Sequence, residues 1–383
     1  MSGDVLIWCQ HVLGTGHLRR AASLAMALRE ADLAVTLVSG GPPVPWLNDL
    51  GLDTHQLPWC KARDAAFSAL VDAEGDEVGA PFWARRRNAL RSILDDVRPR
   101  ALVSEMFPFG RRAFTAEVLG MIEHARQLRP DLLTVCSVRD ILVSGKKPGR
   151  EEAMRDLAQA HYDHVLVHSD PRLLRFETTF PFAQALEDRL HYTGFVIDGA
   201  DQRPAARADA PAEVLVSAGG GEVGALLLRT AIAARPLTLL ADRPWRLIGG
   251  ANLPDETFDA LRVGLPAGIA LDRHRSDFLA LLAGCLLSVS QCGYNTAIEV
   301  MRAGCPAVFV PFGSGDESEQ TTRARALAEH GLASWLSEDV LEARTLADAI
   351  DRAWTSPRPS VDLDLNGAER SAGLIEAWLE VRR

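Results

Sequence analysis

The sequence lacks several features that mark common classes of protein. Its 41 Lys and Arg residues are outnumbered by 51 Asp and Glu residues, and the 383-residue chain has a net charge of −10. A chain without excess positive charge does not attract a phosphate backbone, which argues against nucleic-acid binding as its main task. The sequence also has no uninterrupted run of about 18 apolar residues, the length that a membrane-spanning helix needs. We therefore expect no transmembrane segment.

Cysteine is scattered and unpaired in the sequence. No C-x-x-C pair occurs among the six residues, which are Cys9, Cys60, Cys136, Cys285, Cys292 and Cys305. Several fall in predicted core strands or turns, a pattern that favours buried thiols over disulfides or metal ligands. The opening Met-Ser-Gly-Asp has no basic region, and the apolar run after it is too short for a signal peptide. We expect a cytoplasmic protein.

Two nucleotide-binding signatures are missing as well. No glycine loop matches G-x-G-x-x-G with an acid at the proper distance, and none matches the P-loop with its Gly-Lys-Ser/Thr. Dehydrogenase and kinase functions are therefore disfavoured. The sequence does contain a repeated alternation of β-branched runs and amphipathic helical segments, which predicts parallel, doubly wound α/β sheets. The chain is long enough for two such domains.

A change in composition divides the chain. Residues 198–211 read DGADQRPAARADAP, which is rich in Ala, Pro and Asp and is typical of a linker. Upstream, residues 60–82 are acidic and weakly periodic, and we predict a long loop with a partial helix there. The predicted boundaries are 1–197 for the first domain, 198–212 for the linker, 213–365 for the second domain and 366–383 for a terminal helix.

The stretch 286–320 has the clearest chemistry. An apolar run predicts a buried strand, a tight turn follows at 291–294, and we expect Asn295 or Thr296 to cap the next helix. That helix is expected to stop at Gly304, before a second buried strand. In a parallel sheet, such a strand–turn–helix–strand unit points its turn toward a ligand.

The turn is suited to an anion and its surroundings to a sugar. Free backbone N–H groups and the positive end of a helix dipole favour a phosphate. Glu299 lies one turn inside the helix, within reach of the vicinal hydroxyls next to that phosphate, and polar side chains in the loop after the second strand suit further hydroxyls: Asp316, Glu317, Glu319 and Gln320. This order of contacts is the layout of a nucleotide-sugar site. The alternative is that Glu299 is an ordinary surface residue and the loop is merely solvated.

The segment QCGYNTAIEVMRAGCPAVFVPF resembles the donor-binding box of nucleotide-sugar glycosyltransferases with the GT-B fold. In the UDP-glucosyltransferase branch the box reads H-C-G-W-N-S-x-x-E, then G-x-P, then Pro, then an acid and Gln. The chain has Gln291, Tyr294 and Thr296 in place of His, Trp and Ser, and it matches at Cys292, Gly293, Asn295, Glu299, Gly304, Pro306, Pro311 and Gln320. Its length and its extended loop after Pro311 resemble glycosyltransferase family 28 more closely.

This resemblance implies two Rossmann-like doubly wound domains that face a cleft. It also implies an inverting, metal-independent transfer from a nucleotide sugar, by default UDP-linked, to an acceptor hydroxyl on a small molecule or a lipid-linked substrate, with no cofactor. The implied donor contacts are Gly219, Gly220, Arg273, Gln291, Cys292, Gly293, Tyr294, Asn295, Thr296, Glu299, Glu319 and Gln320. Gly219 and Gly220 can equally be a tight connection between a strand and a helix.

The loop after the first predicted strand supplies a candidate base. Gly14, Thr15 and Gly16 precede His17 at the start of a helix, and Arg20 follows in the same segment as a candidate acceptor or phosphate contact. The helix dipole disfavours a protonated imidazole, so His17 suits a general base, and Glu105 at the end of another strand is the best-placed acid to orient it. His11 lacks the glycine setting and ranks lower. The alternative is that His17 only caps or packs its helix.

Other polar clusters have weaker interpretations. The histidines at 161, 164 and 168 have mixed spacing around a strand, and no Cys or acid completes a metal site with them. The predicted first domain also has basic clusters: Arg85, Arg86, Arg87 and Arg91, Arg111 and Arg112, and Lys146 and Lys147. They suit either an anionic acceptor, peripheral contact with the inner face of a membrane, or a solvated helix face.

Three functions remain open at this point. The leading hypothesis is the glycosyltransferase. The alternative is a nucleotide-sugar hydrolase, because Gly14-x-Gly16-His17-x-x-Arg20 also resembles the opening motif of the hydrolase in pseudaminic acid synthesis. A sugar-binding module without catalysis ranks third.

Overall fold

Two parallel sheets organise the protein in the computed structural model. The structure describes residues 3–64, 67–142, 148–197, 212–218, 224–250, 253–312, 318–357 and 362–382. The chain divides into a first unit, Met1–Ala200 with Asp364–Arg383, and a second unit, Asp201–Leu363. Each unit is built on one of the sheets.

The first unit alternates strands and helices. Its elements are β1 Val5–Cys9, α1 Gly16–Glu30, β2 Val35–Ser39, β3 Asp53–Gln56, β4 Lys61–Ala62, β5 Leu70–Val71, α2 Ala80–Val97, β6 Ala101–Glu105, α3 Thr115–Leu128, β7 Leu133–Arg139, α4 Arg150–His161, β8 His164–His168 and β9 Leu190–Tyr192. The main sheet is parallel throughout, in the order β3-β2-β1-β6-β7-β8-β9. This order reverses between β1 and β6, as in a doubly wound fold.

The second unit repeats the plan. Its elements are β10 Val214–Ser217, α5 Ala225–Ala234, β11 Trp245–Ile248, α6 Asp255–Arg262, β12 Ile269–Asp272, α7 Phe278–Gly284, β13 Leu287–Ser290, α8 Tyr294–Ala303, β14 Ala307–Phe309, α9 Glu319–Glu329, β15 Ser334–Trp335 and α10 Ala343–Thr355. All described strand pairs are parallel, in the order β12-β11-β10-β13-β14-β15, with the reversal between β10 and β13. The predicted class of two Rossmann-like parallel sheets is therefore confirmed.

Burial on both faces explains why the strands are almost continuously apolar. Every residue of β1 is buried, and alternate residues enter different cores: Leu6 and Trp8 pack with α2 and α3, whereas Val5 and Ile7 pack with α1. A sheet covered on both faces needs apolar side chains in both directions. All six cysteines lie in the described residues, are buried and form no disulfide, as predicted.

The last helix, α11 Gly367–Val381, belongs to the first unit. Its inner residues Ala372 and Ile375 join the same core as Leu24 of α1. At its start, a Cβ on Gly367 would lie 2.5 Å from the carbonyl oxygen of Gly194, so only glycine permits this close approach of the backbones.

Several predicted details need correction. The described part of 60–82 contains the antiparallel pair β4–β5, which was not predicted, and only its last three residues, 80–82, are helical, as the start of α2. The α4 helix was not predicted, because its few apolar residues give a weak periodic signal. The α8 helix begins at Tyr294 with Gly293 as its N-cap, not at Asn295 or Thr296, and it ends before Gly304 as expected. The predicted linker, 198–212, lies outside the described residues except for its last position.

Candidate active site

The order of the first sheet brings two predicted site residues together. The strands β1 and β6 are neighbours at the point where the strand order reverses, and ligands of open α/β sheets bind at the carboxyl ends of such strands. Glu105 is the last residue of β6, and His17 lies in the first turn of α1, which follows β1. Each residue is therefore positioned by a separate strand end.

His17 and Glu105 form a hydrogen-bonded pair. His17 Nδ1 lies 2.9 Å from Glu105 Oε1, with 17% of the His17 side chain exposed and 1% of that of Glu105. Arg20, one turn further along α1, contacts the same carboxylate from Nη2 and, at 3.4 Å, from Nε. The buried carboxylate is thus neutralised by a buried guanidinium, while the imidazole reaches the surface.

The protonation states follow from these contacts. Burial alone would raise the pKa of Glu105, but the Arg20 charge and the His17 hydrogen bond outweigh it and hold that pKa well below its ordinary range. The ionised carboxylate can only accept, so His17 Nδ1 carries the proton. Arg20 Nη2 lies 3.0 Å from this nitrogen because both groups converge on Glu105 Oε1.

The other imidazole nitrogen of His17 is left to act as a base. Among the described residues, Nε2 has no hydrogen-bond partner. Burial, and then the charge of Arg111, hold the pKa of His17 well below its ordinary value. The imidazole is therefore neutral near neutral pH, the form that accepts a proton.

The glycine loop before His17 is open. A Cβ built on Gly14 would meet no heavy atom of the described chain within 4 Å, and Thr15 is the N-cap of α1 without a side-chain capping bond. His11, by contrast, is 2% exposed, with Nε2 3.0 Å from the carbonyl oxygen of Pro42. The ring nitrogen of His11 that has no partner in the described chain, Nδ1, is buried, so of the two histidines His17 is the one that an incoming molecule can approach.

The second sheet places the other predicted site at its own reversal point. The strands β10 and β13 are neighbours there, and Gln291, Cys292 and Gly293 connect β13 to α8. Asn295 and Thr296, in the first turn of α8, are half-buried. We call residues 291–294 the donor turn.

Three residues of α9 support the donor turn. Gln320 accepts hydrogen bonds at Oε1 from the backbone amides of Cys292, at 3.0 Å, and Phe312, at 3.2 Å. Arg323, which is 1% exposed, donates to the carbonyl oxygen of Cys292 at 2.7 Å and to Glu319 Oε1 at 2.8 Å. Glu319 is itself buried, and the carboxylate, the guanidinium and the turn form one hydrogen-bonded unit.

The remaining predicted donor residues are placed as follows. Glu299 is half-buried on α8, one turn after the donor turn. Arg273, just after β12, donates to the carbonyl oxygen of Leu253 at 2.5 Å and pairs with Asp255 at 2.7 Å, so it fixes the start of α6. Gly219, Gly220, Asp316 and Glu317 lie outside the described residues, as do Lys146 and Lys147.

One member of the predicted basic clusters faces inward. Arg86 is completely buried, where it donates to both oxygens of Glu117, at 2.6 and 2.7 Å, and to Gln10 Oε1 at 2.9 Å. None of the three predicted roles, an anion-binding surface, a membrane-contacting surface or a solvated helix face, therefore fits Arg86. Arg85 and Arg87, its neighbours, are exposed on α2, because a helix turns adjacent side chains to different faces.

Sequence reasoning missed the polar residues beneath the pair. Ser137 Oγ donates to Glu105 Oε2 at 2.6 Å and lies 2.9 Å from His168 Nε2. Arg111 was singled out in the sequence only as part of a basic cluster; it donates from Nε to the carbonyl oxygen of Gln10 at 2.6 Å, and burial lowers its pKa to about 10. The available signal was position: Ser137 and His168 lie near the carboxyl ends of apolar parallel strands.

Metal-binding clusters and membrane-spanning helices are both absent from the described ranges. These ranges contain no group of three or more His, Cys, Asp or Glu residues arranged to hold a metal ion. Within the same ranges, no helix combines the length and the apolar character needed to cross a bilayer.

Comparison with known proteins matches part of the second unit to a family model. Residues 274–360 match the model described as the glycosyltransferase family 28 C-terminal domain. A UDP-N-acetylglucosamine--N-acetylmuramyl-(pentapeptide) pyrophosphoryl-undecaprenol N-acetylglucosamine transferase of Burkholderia mallei is 33% identical over 135 residues, which cover 34% of this chain. The match spans only 36% of that relative's length.

Solved structures match the whole chain at low identity. Acinetobacter baumannii MurG has a TM-score of 0.56 at 17% identity, over 98% of this chain and 99% of the other. Spinosyn rhamnosyltransferase SpnG complexed with thymidine diphosphate has a TM-score of 0.60 at 18% identity, over 99% and 96%. At these identities the likeness establishes the fold, which is GT-B.

Proposed function

Because this chain has the GT-B fold and carries a glycosyltransferase family 28 C-terminal domain, we propose that it is a nucleotide-sugar glycosyltransferase. The observation that supports this most directly is the donor turn. It lies at the reversal point of the second sheet, starts a helix of ten residues, and falls inside the matched range 274–360. The start of such a helix suits the diphosphate of a nucleotide sugar.

The donor is held by α8 and the residues around its start. The diphosphate accepts hydrogen bonds from backbone N–H groups at the start of α8, and Glu299 accepts hydrogen bonds from the ribose hydroxyls. Gln320 uses Oε1 within the protein, so its Nε2 amide is the group that contacts the sugar. The UDP nucleotide is proposed because the resembling families mostly use it.

The chemical step is a direct displacement. His17 Nε2 takes the proton of an acceptor hydroxyl, and the acceptor oxygen forms a bond to the anomeric carbon as the bond from that carbon to the diphosphate oxygen breaks. Attack opposite the leaving group inverts the anomeric configuration. The departing diphosphate is stabilised by the dipole of α8, without a metal ion. Glu105 keeps Nδ1–H of His17 in place and stabilises the imidazolium that forms.

Nucleotide binding tests the donor half of this proposal. Thermal unfolding of the full chain is measured with UDP, dTDP, GDP and ADP, since a ligand that binds only the folded state stabilises it by RT ln(1 + [L]/Kd). We expect UDP to raise the Tm most. If none of the four nucleotides raises the Tm, the proposed donor site is contradicted. If dTDP raises the Tm more than UDP does, dTDP replaces UDP as the proposed nucleotide.

Turnover measurements test the need for an acceptor and the independence from metal ions. The full chain is incubated with the sugar derivatives of the best nucleotide, with EDTA present, and with and without lipid-linked and small-molecule acceptors. We expect nucleoside diphosphate release that requires an acceptor and persists in EDTA. Acceptor-independent release at the same rate would identify a hydrolase instead, and release restored only by Mg²⁺ or Mn²⁺ would refute the metal-independent step.

A further inference from the structure

The carboxylate of Glu105 is held on its second oxygen by a hydroxyl from the neighbouring strand. Ser137 is the register partner of Glu105 in the β6–β7 pair, and its Oγ lies 2.6 Å from Glu105 Oε2. Both residues are 1% exposed. Glu105 therefore contacts His17 with one oxygen and the interior of the sheet with the other.

The hydrogen bonds continue across two further strands. His168, at the end of β8, lies with Nε2 2.9 Å from Ser137 Oγ and with Nδ1 2.8 Å from Thr193 Oγ1, just after β9. His168 and Thr193 are both fully buried. We call Thr193, His168, Ser137 and Glu105 the buried polar chain. It follows the carboxyl edge of the sheet and ends at the candidate base.

The direction of the hydrogen bonds between Glu105 and His168 follows from the ionised carboxylate. Glu105 can only accept, so the single hydroxyl proton of Ser137 points to it. Ser137 Oγ must then accept from His168, which places the proton of that neutral imidazole on Nε2. His168 Nδ1 then carries no proton and faces the Thr193 hydroxyl, whose other neighbours are the carbonyl oxygens of Gly194, at 3.0 Å, and Val167, at 3.4 Å. Ser137 and His168 thus each donate one proton toward Glu105.

This arrangement does more than satisfy buried groups. Arg20 already neutralises the charge of Glu105, so Ser137 is not needed for charge balance. What Ser137 adds is a short hydrogen bond to Oε2, at 2.6 Å against 3.4 Å for Arg20 Nε, which leaves Oε1 facing His17. Without it, Oε2 keeps only the longer contact with Arg20, and the carboxylate turns toward that guanidinium and loosens its hold on His17 Nδ1.

We propose that Ser137 and His168 are positioning residues that hold His17 in its Nδ1–H tautomer by acting through Glu105. Only the effect of this tautomer on turnover rests on the proposed function. The tautomer itself is a property of the folded chain.

Nitrogen NMR of the full chain labelled with ¹⁵N-histidine tests the proposal without any substrate, because the long-range proton couplings of a ring distinguish its two neutral tautomers. His17→Gln and His168→Gln assign the signals. In the wild type we expect Nδ1–H for His17 and Nε2–H for His168. A wild-type His17 in the Nε2–H form, or His168 in the Nδ1–H form, would overturn the proposal at once.

Ser137→Ala then tests the coupling. We expect the His17 signal to change from one tautomer to a mixture, while Ser137→Thr, which keeps the hydroxyl, retains the wild-type pattern. Ser104→Ala is the matched control: Ser104 is equally buried on β6, and it hydrogen-bonds to Phe107 and Tyr162 instead of Glu105. An identical His17 signal in Ser137→Ala and Ser104→Ala would refute the coupling. Should Ser137→Ala fail to fold, Thr193→Val removes the hydroxyl next to His168 Nδ1 and is expected to turn the His168 signal into a mixture of tautomers. An unchanged His168 signal in that variant refutes the coupling.

Turnover separates this proposal from the proposed function. In an active enzyme, Ser137→Ala should lower kcat by about 10- to 100-fold, by analogy with the loss of an outer hydrogen-bond partner at metal-bound histidines, with the KM for the donor little changed. If the wild type has no transferase activity, the proposed function fails and the NMR result still decides the tautomer. If kcat and the pH profile of Ser137→Ala match those of Ser104→Ala, the positioning role is refuted and the proposed function is unaffected.

Discussion

Arg323 donates a hydrogen bond to the backbone carbonyl of Cys292 across 31 positions of the sequence. The same guanidinium pairs with Glu319, and its centre lies 5.7 Å from the ring centroid of Tyr294. A planar guanidinium can serve these partners together, because its donors point in fixed and different directions. Arg323 therefore connects the donor turn to the acid that precedes Gln320.

This connection predicts the effect of a conservative change. Arg323→Lys keeps the charge but cannot reproduce the fork, and we expect the donor turn to lose its fixed geometry. Hydrogen bonds of charged groups are worth about 1.5–3 kcal/mol, so nucleotide binding should weaken by roughly 10- to 150-fold. Titration calorimetry measures the affinity for the nucleotide. Arg325→Lys, an exposed residue of the same helix that contacts Trp335, is the control; equal affinities in both variants would contradict the prediction.

The buried pair of Arg86 and Glu117 predicts a loss of stability. Arg86→Met leaves the Glu117 carboxylate buried without its partner, and such a change typically costs about 3–5 kcal/mol. Replacing both residues, as Arg86→Met with Glu117→Leu, should cost less than Arg86→Met alone, because no charge remains buried. Urea denaturation measures both. The exposed Arg87→Met should change the free energy of unfolding little, and a similar loss there would show that the pair is not responsible.

The sequence predicted the sheets better than the polar interior. Runs such as Val5–Cys9 and Ala101–Glu105 are apolar, short and followed by glycine or polar residues, so their local pattern specifies both the strands and their order along the chain. Helix α4 was missed because buried Met154 and Ala158 are too few to mark a face. The placement of Arg86 was also wrong. In the sequence it resembles its exposed neighbours, and only its pairing with Glu117, 31 positions away, shows that it lies in the interior.

The candidate site was predictable to the extent that it depends on strand ends. His17 and Glu105 are separated by 88 positions, yet each follows a recognisable strand, so their proximity could be predicted from topology. The identity of Ser137 and His168 could not be predicted in this way. The register of β7 against β6 places Ser137 opposite Glu105, and the register of β8 against β7 then brings His168 to Ser137. The roles of these residues remain predictions until they are tested.

Buried histidines predict how stability depends on pH. Burial, and then the charge of Arg20, lower the pKa of His168 to about 3, whereas an unfolded histidine titrates near about 6.5. Between these two pH values, only the unfolded chain binds the proton. The contribution of neutral His168 to the free energy of unfolding is therefore fully present above a pH of about 6.5. It is lost as the pH falls below that value, by up to about 1.4 kcal/mol per pH unit. Urea denaturation between neutral pH and pH of about 5 measures the slope. His168→Gln removes this titration, and an unchanged slope in that variant would contradict the assignment.

Glu299 predicts the strength of donor binding. Glu299→Ala removes an acceptor from α8 one turn after the donor turn, and we expect nucleotide affinity to fall by about 1.5–3 kcal/mol, the worth of hydrogen bonds to a charged group. Folding should be nearly unaffected, since the side chain is half-buried on the helix surface. Titration calorimetry with the nucleotide measures this loss of affinity. Glu329→Ala, an exposed acid of α9, should bind as the wild type does, and a Glu299→Ala variant that also does so would remove Glu299 from the ribose site.

His17 and Glu105 predict a separation between catalysis and donor binding. His17→Ala removes the base, and general-base catalysis contributes about 10²- to 10⁴-fold, so kcat should fall by that factor. The nucleotide should still bind, because the donor turn belongs to the other unit.

Glu105→Gln should lower kcat less, since it keeps the size of the side chain and loses the charge that stabilises an imidazolium. It also leaves Arg20 buried without a carboxylate, so its free energy of unfolding must be measured alongside kcat. The exposed His55→Ala in β3 is the control for loss of an imidazole. A His17→Ala enzyme with near-normal kcat would remove His17 as the base, and one that cannot bind nucleotide would move it from catalysis to donor binding.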